Sequence, residues 1–264
     1  MPHTDPASLP IPAFADVAAL SAQRSARWRP GLAAQQGPAL HSELFASSRE
    51  GGGAAAALAF ALDDIRHVPR AEGSEARDRR SVLWVQTREA ARRVGRPYRA
   101  GLPHALQGRV IHVLAEKAED ALFALEEGLR CRDFAFVLGE IAGNPGALDF
   151  TASRRLTLAG ERHGVPLFLV RLDAARDLSS ARMRWEIASA PSPAPRWNAQ
   201  APGAPRWRAG LFRARAHAPG EWVLGEGGDG LAAQRPARAA DHDGGDTAAS
   251  WTAGLRQRPP PRRA

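Results

Sequence analysis

The run "LFASSREGGGAAAALAFAL" (residues 44–62) reads as the end of a strand, a short polar loop and the start of an apolar helix. That is the outline of a phosphate-binding loop, in which backbone amides at a helix N-terminus meet phosphate oxygens. A working loop of this kind ends in glycine, lysine and a hydroxyl residue. The lysine reaches the terminal phosphates, and the serine or threonine holds a magnesium ion. Here Ser47 and Ser48 lie in the loop and Gly51 stands where the pre-lysine glycine belongs. Gly52 and Gly53 stand where the lysine and the hydroxyl should be. Glycines opening a helix cost about 1 kcal/mol each relative to alanine, so they imply a tight backbone turn. The loop keeps its backbone outline and lacks its charge chemistry.

Working outward from the loop, "LHSELF" (40–45) alternates as a short strand does, and "AAAALAFAL" (54–62) is apolar nearly all round, as a buried helix is. Four further apolar runs, 81–85, 109–115, 134–141 and 165–171, read as buried strands. Helices over 116–133 and 149–164 separate them. The first carries the stripe Ala118, Ala121, Leu122, Leu125 and Leu129, with acidic residues in its opening turn and basic ones in its last. The second has Asp149 or Thr151 as cap and Gly164 as stop. Strands that are apolar throughout and alternate with helices predict an α/β fold with a mostly parallel sheet covered on both faces. Residues 66–80 read as an exposed loop and 182–190 as one more strand. A proline-rich connection (191–205) leads to a hairpin (206–226) that turns at Ala218-Pro219-Gly220. The expected division is a flexible N-terminal segment with a short helix (1–39), a core (40–190), the connection and hairpin (191–226), and a disordered tail (227–264).

The formal net charge of +8 permits nucleic acid or an acidic protein as partner and requires neither. Cys131 is the single cysteine, which excludes an internal disulfide and suits a reduced, cytoplasmic setting. No secretory signal and no membrane-spanning run is visible.

The next part of a nucleotide site would be a carboxylate at a strand end, and Glu140, closing "FAFVLGE", takes that place. The glutamate that would polarise attacking water falls instead on Arg88, with Glu89 one step along, and a guanidinium has no acceptor to act as a base. No catalytic residue, cofactor or metal is expected. The histidines are scattered, Ser47 and Ser48 have no histidine at triad spacing, and "DHDGGD" (241–246) reads as a solvated charge cluster. In the hairpin, Trp207 and Trp222 stand among Arg206, Arg208, Arg213 and Arg215. Such a set can stack bases and neutralise phosphates, can anchor a protein partner, or can pack its indoles on a core with the arginines in water.

In order, the elements resemble a RecA-type core. "HSELFA", "GRPYRAGL" (95–102), "ALFALEEGLRC" (121–131), "LTLAGERHGVPLFLVR" (156–171), "RWEIASAPS" (184–192) and "APGAPRWRAGLFRAR" (201–215) with "PGEWVL" (219–224) are similar to the text of the ImuA family. The resemblance spans roughly residues 40–226. It implies a RecA-like accessory protein of bacterial DNA-damage-induced mutagenesis. The implied partners are an ImuB-type Y-family polymerase homologue and an error-prone replicative-type polymerase alpha subunit, with RecA and DNA as further candidates. Many family members carry an eroded phosphate loop. After "PG-W" the family often continues into another strand, whereas "GEGGDGLAAQRPARAADHDGGD" follows here and reads as divergent. The sequence leaves two other classes open: a nucleotide-dependent ATPase using Gly51 to Gly53 and Glu140, and a basic single-stranded-DNA-binding module.

Overall fold

The computed structural model describes residues 41–67, 78–215, 218–227 and 230–235. The short helix expected over 14–28 and the "DHDGGD" cluster lie outside them.

Nine strands are described: β1 (His41–Ala46), β2 (Ser81–Thr87), β3 (Val110–Ala115), β4 (Phe134–Ala142), β5 (Leu167–Leu172), β6 (Met183–Ala190), β7 (Arg206–Ala214), β8 (Gly220–Gly227) and β9 (Gly230–Gln234). The helices are α1 (Gly52–His67), α2 (Arg88–Val94), α3 (Ala118–Arg130) and α4 (Phe150–His163). One sheet holds all the strands, in the order β3-β2-β4-β5-β1-β6-β7-β8-β9. β3 through β6 in that order pair in parallel. β7, β8 and β9 then add as an antiparallel meander. This is the mixed α/β, mostly parallel architecture that the alternation predicts. Because β5 sits between β1 and β4, the loops leaving these three strands gather at one edge of the sheet, where open α/β sheets bind ligands.

Each face of the sheet has its own core. Alternate strand residues such as Leu44, Phe136, Phe168, Val170, Trp185, Trp207 and Leu224 face α1 and α2. The intervening residues, among them Val85, Val137, Leu167 and Leu169, face α3 and α4. α1 touches β4, β5, β1, β6 and the distant β9, so the sheet curls around it. That wrap explains a helix apolar nearly all round. Phe60 of α1 meets Trp185 edge-on at 5.2 Å, and Trp185 meets Trp222 at 6.2 Å. Aromatic pairs in this geometry add about 0.5–1.5 kcal/mol each beyond the area they bury.

α4 is bounded as the sequence predicts. Asp149 Oδ1 accepts from the Ala152 amide at 2.7 Å, and Gly164 closes the helix in the left-handed conformation at φ 74°. The tail departs from expectation at Gly230–Gln234, which pairs with β8 as an edge strand. What holds it is Asp63, a buried carboxylate of α1 whose Oδ1 accepts from the Leu231 amide at 2.7 Å. The chain therefore does continue into a further strand after "PGEW".

Candidate functional site

The loop Ser47–Gly51 leaves β1 and enters α1 at Gly52. It meets carboxylates of its own chain. The Ser48 amide donates to Asp173 Oδ1 at 2.9 Å, just beyond β5. Arg93 of α2 pairs with the other Asp173 oxygen at 2.9 Å. Hydrogen bonding from Ser48, with Arg93 behind it, holds the Asp173 carboxyl below its usual range. Glu50 Oε2 accepts from the Ser189 amide at 2.6 Å, which ties the loop to the end of β6.

The glycines answer to space. The expected tight turn is present, closed by the Glu50 amide on the Ser47 carbonyl at 3.3 Å, and Gly51, Gly52 and Gly53 follow it without a positive φ. Gly53 lies so close to the sheet that a Cβ there would stand 2.8 Å from Ala46 Cβ and 3.0 Å from Val170 Cγ1. A Cβ at Gly52 would lie 3.3 Å from Ser189 Oγ and 3.4 Å from Trp207 Cδ1. The position that would carry a magnesium-holding hydroxyl thus has no room for a side chain. The position that would carry the lysine is crowded by β6 and β7.

Glu140 departs furthest from expectation. It lies inside β4, which runs on to Ala142, and only 1% of its surface is exposed. Its register partner on β2 is Gln86. Gln86 Nε2 donates to Glu140 Oε1 at 3.0 Å and to the Gly95 carbonyl at 2.9 Å. Trp84 Nε1 donates to the same Glu140 oxygen at 2.6 Å. The Gln86 carbonyl oxygen accepts from His112 Nε2 at 2.9 Å, which fixes that tautomer. Glu140 Oε2 is buried and has no hydrogen-bond partner among the described residues. Burial pushes the carboxyl up to about 7, against the opposing bonds from Trp84 and Gln86. Trp84 and Gln86 thus engage one carboxyl oxygen and leave the other buried. The cleft between it and the loop, lined by Glu50, Gly51, Gly53, Trp84, Gln86 and Glu140, is about 130 Å³. Ligand pockets are typically about 300–1,000 Å³. Arg88, in the place of the water-polarising glutamate, forms an exposed ion pair with Glu116.

The chain is 34% identical over 202 residues to Protein ImuA of Caulobacter vibrioides strain NA1000 / CB15N, covering 72% of this chain and 77% of that protein. Protein ImuA of strain ATCC 19089 / CIP 103742 / CB 15 aligns with the same identity and coverage. This chain belongs to the ImuA family. No family model matches it. In this ImuA-family chain Gly51, Gly53 and Glu140 thus line one narrow cleft.

The hairpin candidates separate by strand alternation and by the register shift between β6 and β7. Trp207 and Trp222 are buried, packed on the core beneath α1, and offer no ring to a base or a partner. Arg208 and Arg213 are exposed on β7, Arg206 opens that strand half-buried, and Arg215 follows it, exposed. Arg208 faces Glu221 at 3.5 Å across the β7–β8 pair. The structure brings Gly51, Gly53 and Glu140 to one cleft and keeps the arginines apart from it.

Sequence reasoning missed a buried charge cluster on the α4 side. Glu43 Oε2 accepts from Arg184 Nε at 2.7 Å and Glu43 Oε1 from Ser179 Oγ at 2.8 Å, with Arg171 Nη1 3.7 Å away. The Arg171 and Arg184 guanidiniums both lie near the Phe45 ring, 5.6 and 5.0 Å from its centre. Two cations face one anion, and Arg171 Nε and Arg184 Nη2 are buried without partners among the described residues. The available signal was polar residues in the inward phase of otherwise apolar strands. No group of His, Cys, Asp and Glu able to hold a metal occurs among the described residues, and no described helix is long and apolar enough to cross a membrane.

Proposed function

We infer that this ImuA-family chain is a non-catalytic accessory protein of bacterial damage-induced, error-prone translesion synthesis. In this reading it works by contact, beside an ImuB-type polymerase homologue and an error-prone replicative-type polymerase, in the cytoplasm. The observation that carries the reading is the sequestered Glu140: the carboxylate that the sequence places for metal chemistry is buried under Trp84 and Gln86. The absence of room for a side chain at Gly53 supports it. A role by contact also suits the apolar residues left in the open. Trp197 in the β6–β7 connection is 81% exposed, and Tyr98 and Leu178 are each 77% exposed in other loops. Exposed Trp and Tyr are the residues from which interface anchors are made.

The test pairs two measurements on the purified protein. Association with an ImuB-type protein at micromolar concentration, by pull-down and light scattering, is expected and is weakened by Trp197→Ala. ATP turnover proportional to protein concentration and abolished by Glu140→Ala would replace the accessory reading with the ATPase reading. Absence of any association removes the scaffold role.

A further inference from the structure

We propose that the groove between α4 and the end of β7 is a docking site for an acidic protein segment carrying two apolar anchors. It lies on the α3–α4 face, where the helical cover of the sheet stops. Its volume is about 530 Å³, much larger than the cleft beside Glu140. One wall is the outer stripe of α4, where Phe150, Arg154 and Leu158 follow one another at i, i+4 and i+8. Phe150 is 48% exposed and Leu158 51%, and two helical turns put them about 12 Å apart. The other wall is Arg213 and Arg215, at and past the end of β7, with Arg182 leading into β6.

The polar floor of the groove is already satisfied. Thr157 Oγ1 bonds His41 Nδ1 at 2.8 Å and Ser180 Oγ at 2.6 Å, and Ser179 Oγ donates to Glu43. Arg182 is paired with Glu161. Arg154, Arg213 and Arg215 are exposed and have no carboxylate partner among the described residues. The donors left for a ligand are therefore three guanidiniums, set around two apolar contacts. Arginine with large apolar residues is the composition of protein interfaces, and each guanidinium can take a carboxylate through two bonds. An extended segment covers about 12 Å in four residues, so apolar side chains at that spacing reach Phe150 and Leu158 with acidic residues opposite Arg154.

A single nucleic acid strand suits the groove less well. It calls for aromatic platforms under successive bases, and Phe150 is the one aromatic side chain among the lining residues. The protein's own ends are also disfavoured by charge. Residues 1–40 carry three arginines against two aspartates, and residues 236–264 carry five arginines against three aspartates. The occupant that complements the groove is an acidic segment of another protein. The groove stands apart from the nucleotide-type cleft, so the proposal does not depend on the accessory role.

Selection of a random-sequence peptide library on the full-length protein tests this, followed by fluorescence anisotropy with the enriched peptides. Enriched sequences should be net acidic with two apolar residues about four apart. Their affinity should fall at least tenfold in Arg154→Glu/Arg213→Glu and fall with added salt. Leu158→Ser, which leaves the charges in place, should weaken them severalfold. Arg132→Glu, a surface charge reversal away from the groove, should leave binding within twofold. Circular dichroism and thermal melts confirm that each variant is folded. Enrichment without acidic bias, or binding indifferent to Arg154 and Arg213, overturns the proposal. So does a failure to enrich acidic peptides while labelled oligo-dT binds through the same arginines, which would assign the groove to nucleic acid.

Discussion

At the scale of single residues, the most informative groups are buried ionisable ones whose two states differ in stability. Glu140 is pushed up to about 7 in the folded chain from 4.5. The native state holds a proton that the unfolded chain releases, so this group's contribution is full below pH 4.5 and is lost as the pH rises to 7. The shift corresponds to about 3 kcal/mol. Glu140→Gln keeps the acceptor for Trp84 and cannot ionise. It is expected to raise stability by about 2–3 kcal/mol at pH 8 and by much less at pH 5, read from urea unfolding at both values. His41 acts in the opposite direction: burial lowers it from 6.5 to about 4. The unfolded chain takes up a proton that the native imidazole refuses, so stability is lost as the pH falls from 6.5 to 4. Between those limits the two groups offset one another. Glu140→Gln should therefore expose the acid slope of His41 between pH 4 and 6.5, and a slope unchanged by the substitution would count against the Glu140 assignment. Glu43→Gln tests the second buried cluster. It leaves Arg184 without its carboxylate and Arg171 with only Asp177 for an anion among the described residues, and losing one member of a buried pair costs about 3–5 kcal/mol. The expected outcome is a large fall in melting temperature with the fold retained in Glu43→Gln/Arg184→Met, where one cation leaves with the anion.

At the scale of elements, β9 pairs with β8 and is tied to α1 by the Asp63 side chain. Removing the Asp63 carboxylate leaves the Leu231 amide without its acceptor and is expected to cost about 1–3 kcal/mol. Asp63→Ala should accelerate hydrogen exchange across Leu231–Gln234 and leave β1, β4 and β5 protected, because β9 is the outermost strand. Equal acceleration throughout would mean that β9 is not a separately opening edge. The same strand shows what the sequence could express. Strands β2, β4 and β5 were legible because both faces are buried, which makes them continuous apolar runs. α4 was legible because Asp149 and Gly164 mark its ends. β9 was not, because "GLAAQ" has one large apolar residue and no β-branched one, and pairs through backbone bonds and one distant carboxylate. The candidate site was half legible. The lost lysine and hydroxyl could be read at Gly52 and Gly53. The roof over Glu140 could not, because Trp84 and Gln86 meet it only through the β2–β4 register. The arginine–tryptophan hairpin shows the limit of composition, since strand alternation buries Trp207 and Trp222 and leaves Arg208 outside, while the register shift against β6 turns Arg213 out of the buried phase.

At the scale of the whole molecule, the accessory reading leaves two causes for an inert cleft beside Glu140, lack of chemistry and lack of space, and these part under one double substitution. Gly52→Lys/Gly53→Thr restores the missing ammonium and hydroxyl to the sequence. If chemistry alone were missing, the variant should bind nucleotide, and ATP with magnesium should raise its melting temperature. The free-energy gain would be about 2.7 kcal/mol at one hundred times the dissociation constant. The geometry requires the other result. The Cβ introduced at Gly53 would fall 2.8 Å from Ala46 Cβ, and the stem introduced at Gly52 would start against Ser189 and Trp207. α1 must then lift from β1 and β5, where Ala56, Ala57, Phe60 and Ala61 are buried in the main core. Overpacking of this kind costs about 1–3 kcal/mol. The double variant is expected to melt earlier than the natural chain, with or without ATP and magnesium, and to show no turnover. Trp84 reports on the same event, because an indole that donates to Glu140 changes its fluorescence if a nucleotide or metal displaces that carboxyl. A melting temperature raised by nucleotide, together with a shift in Trp84 emission, would mean that the loop needs only its two side chains back and that the narrow cleft opens on demand.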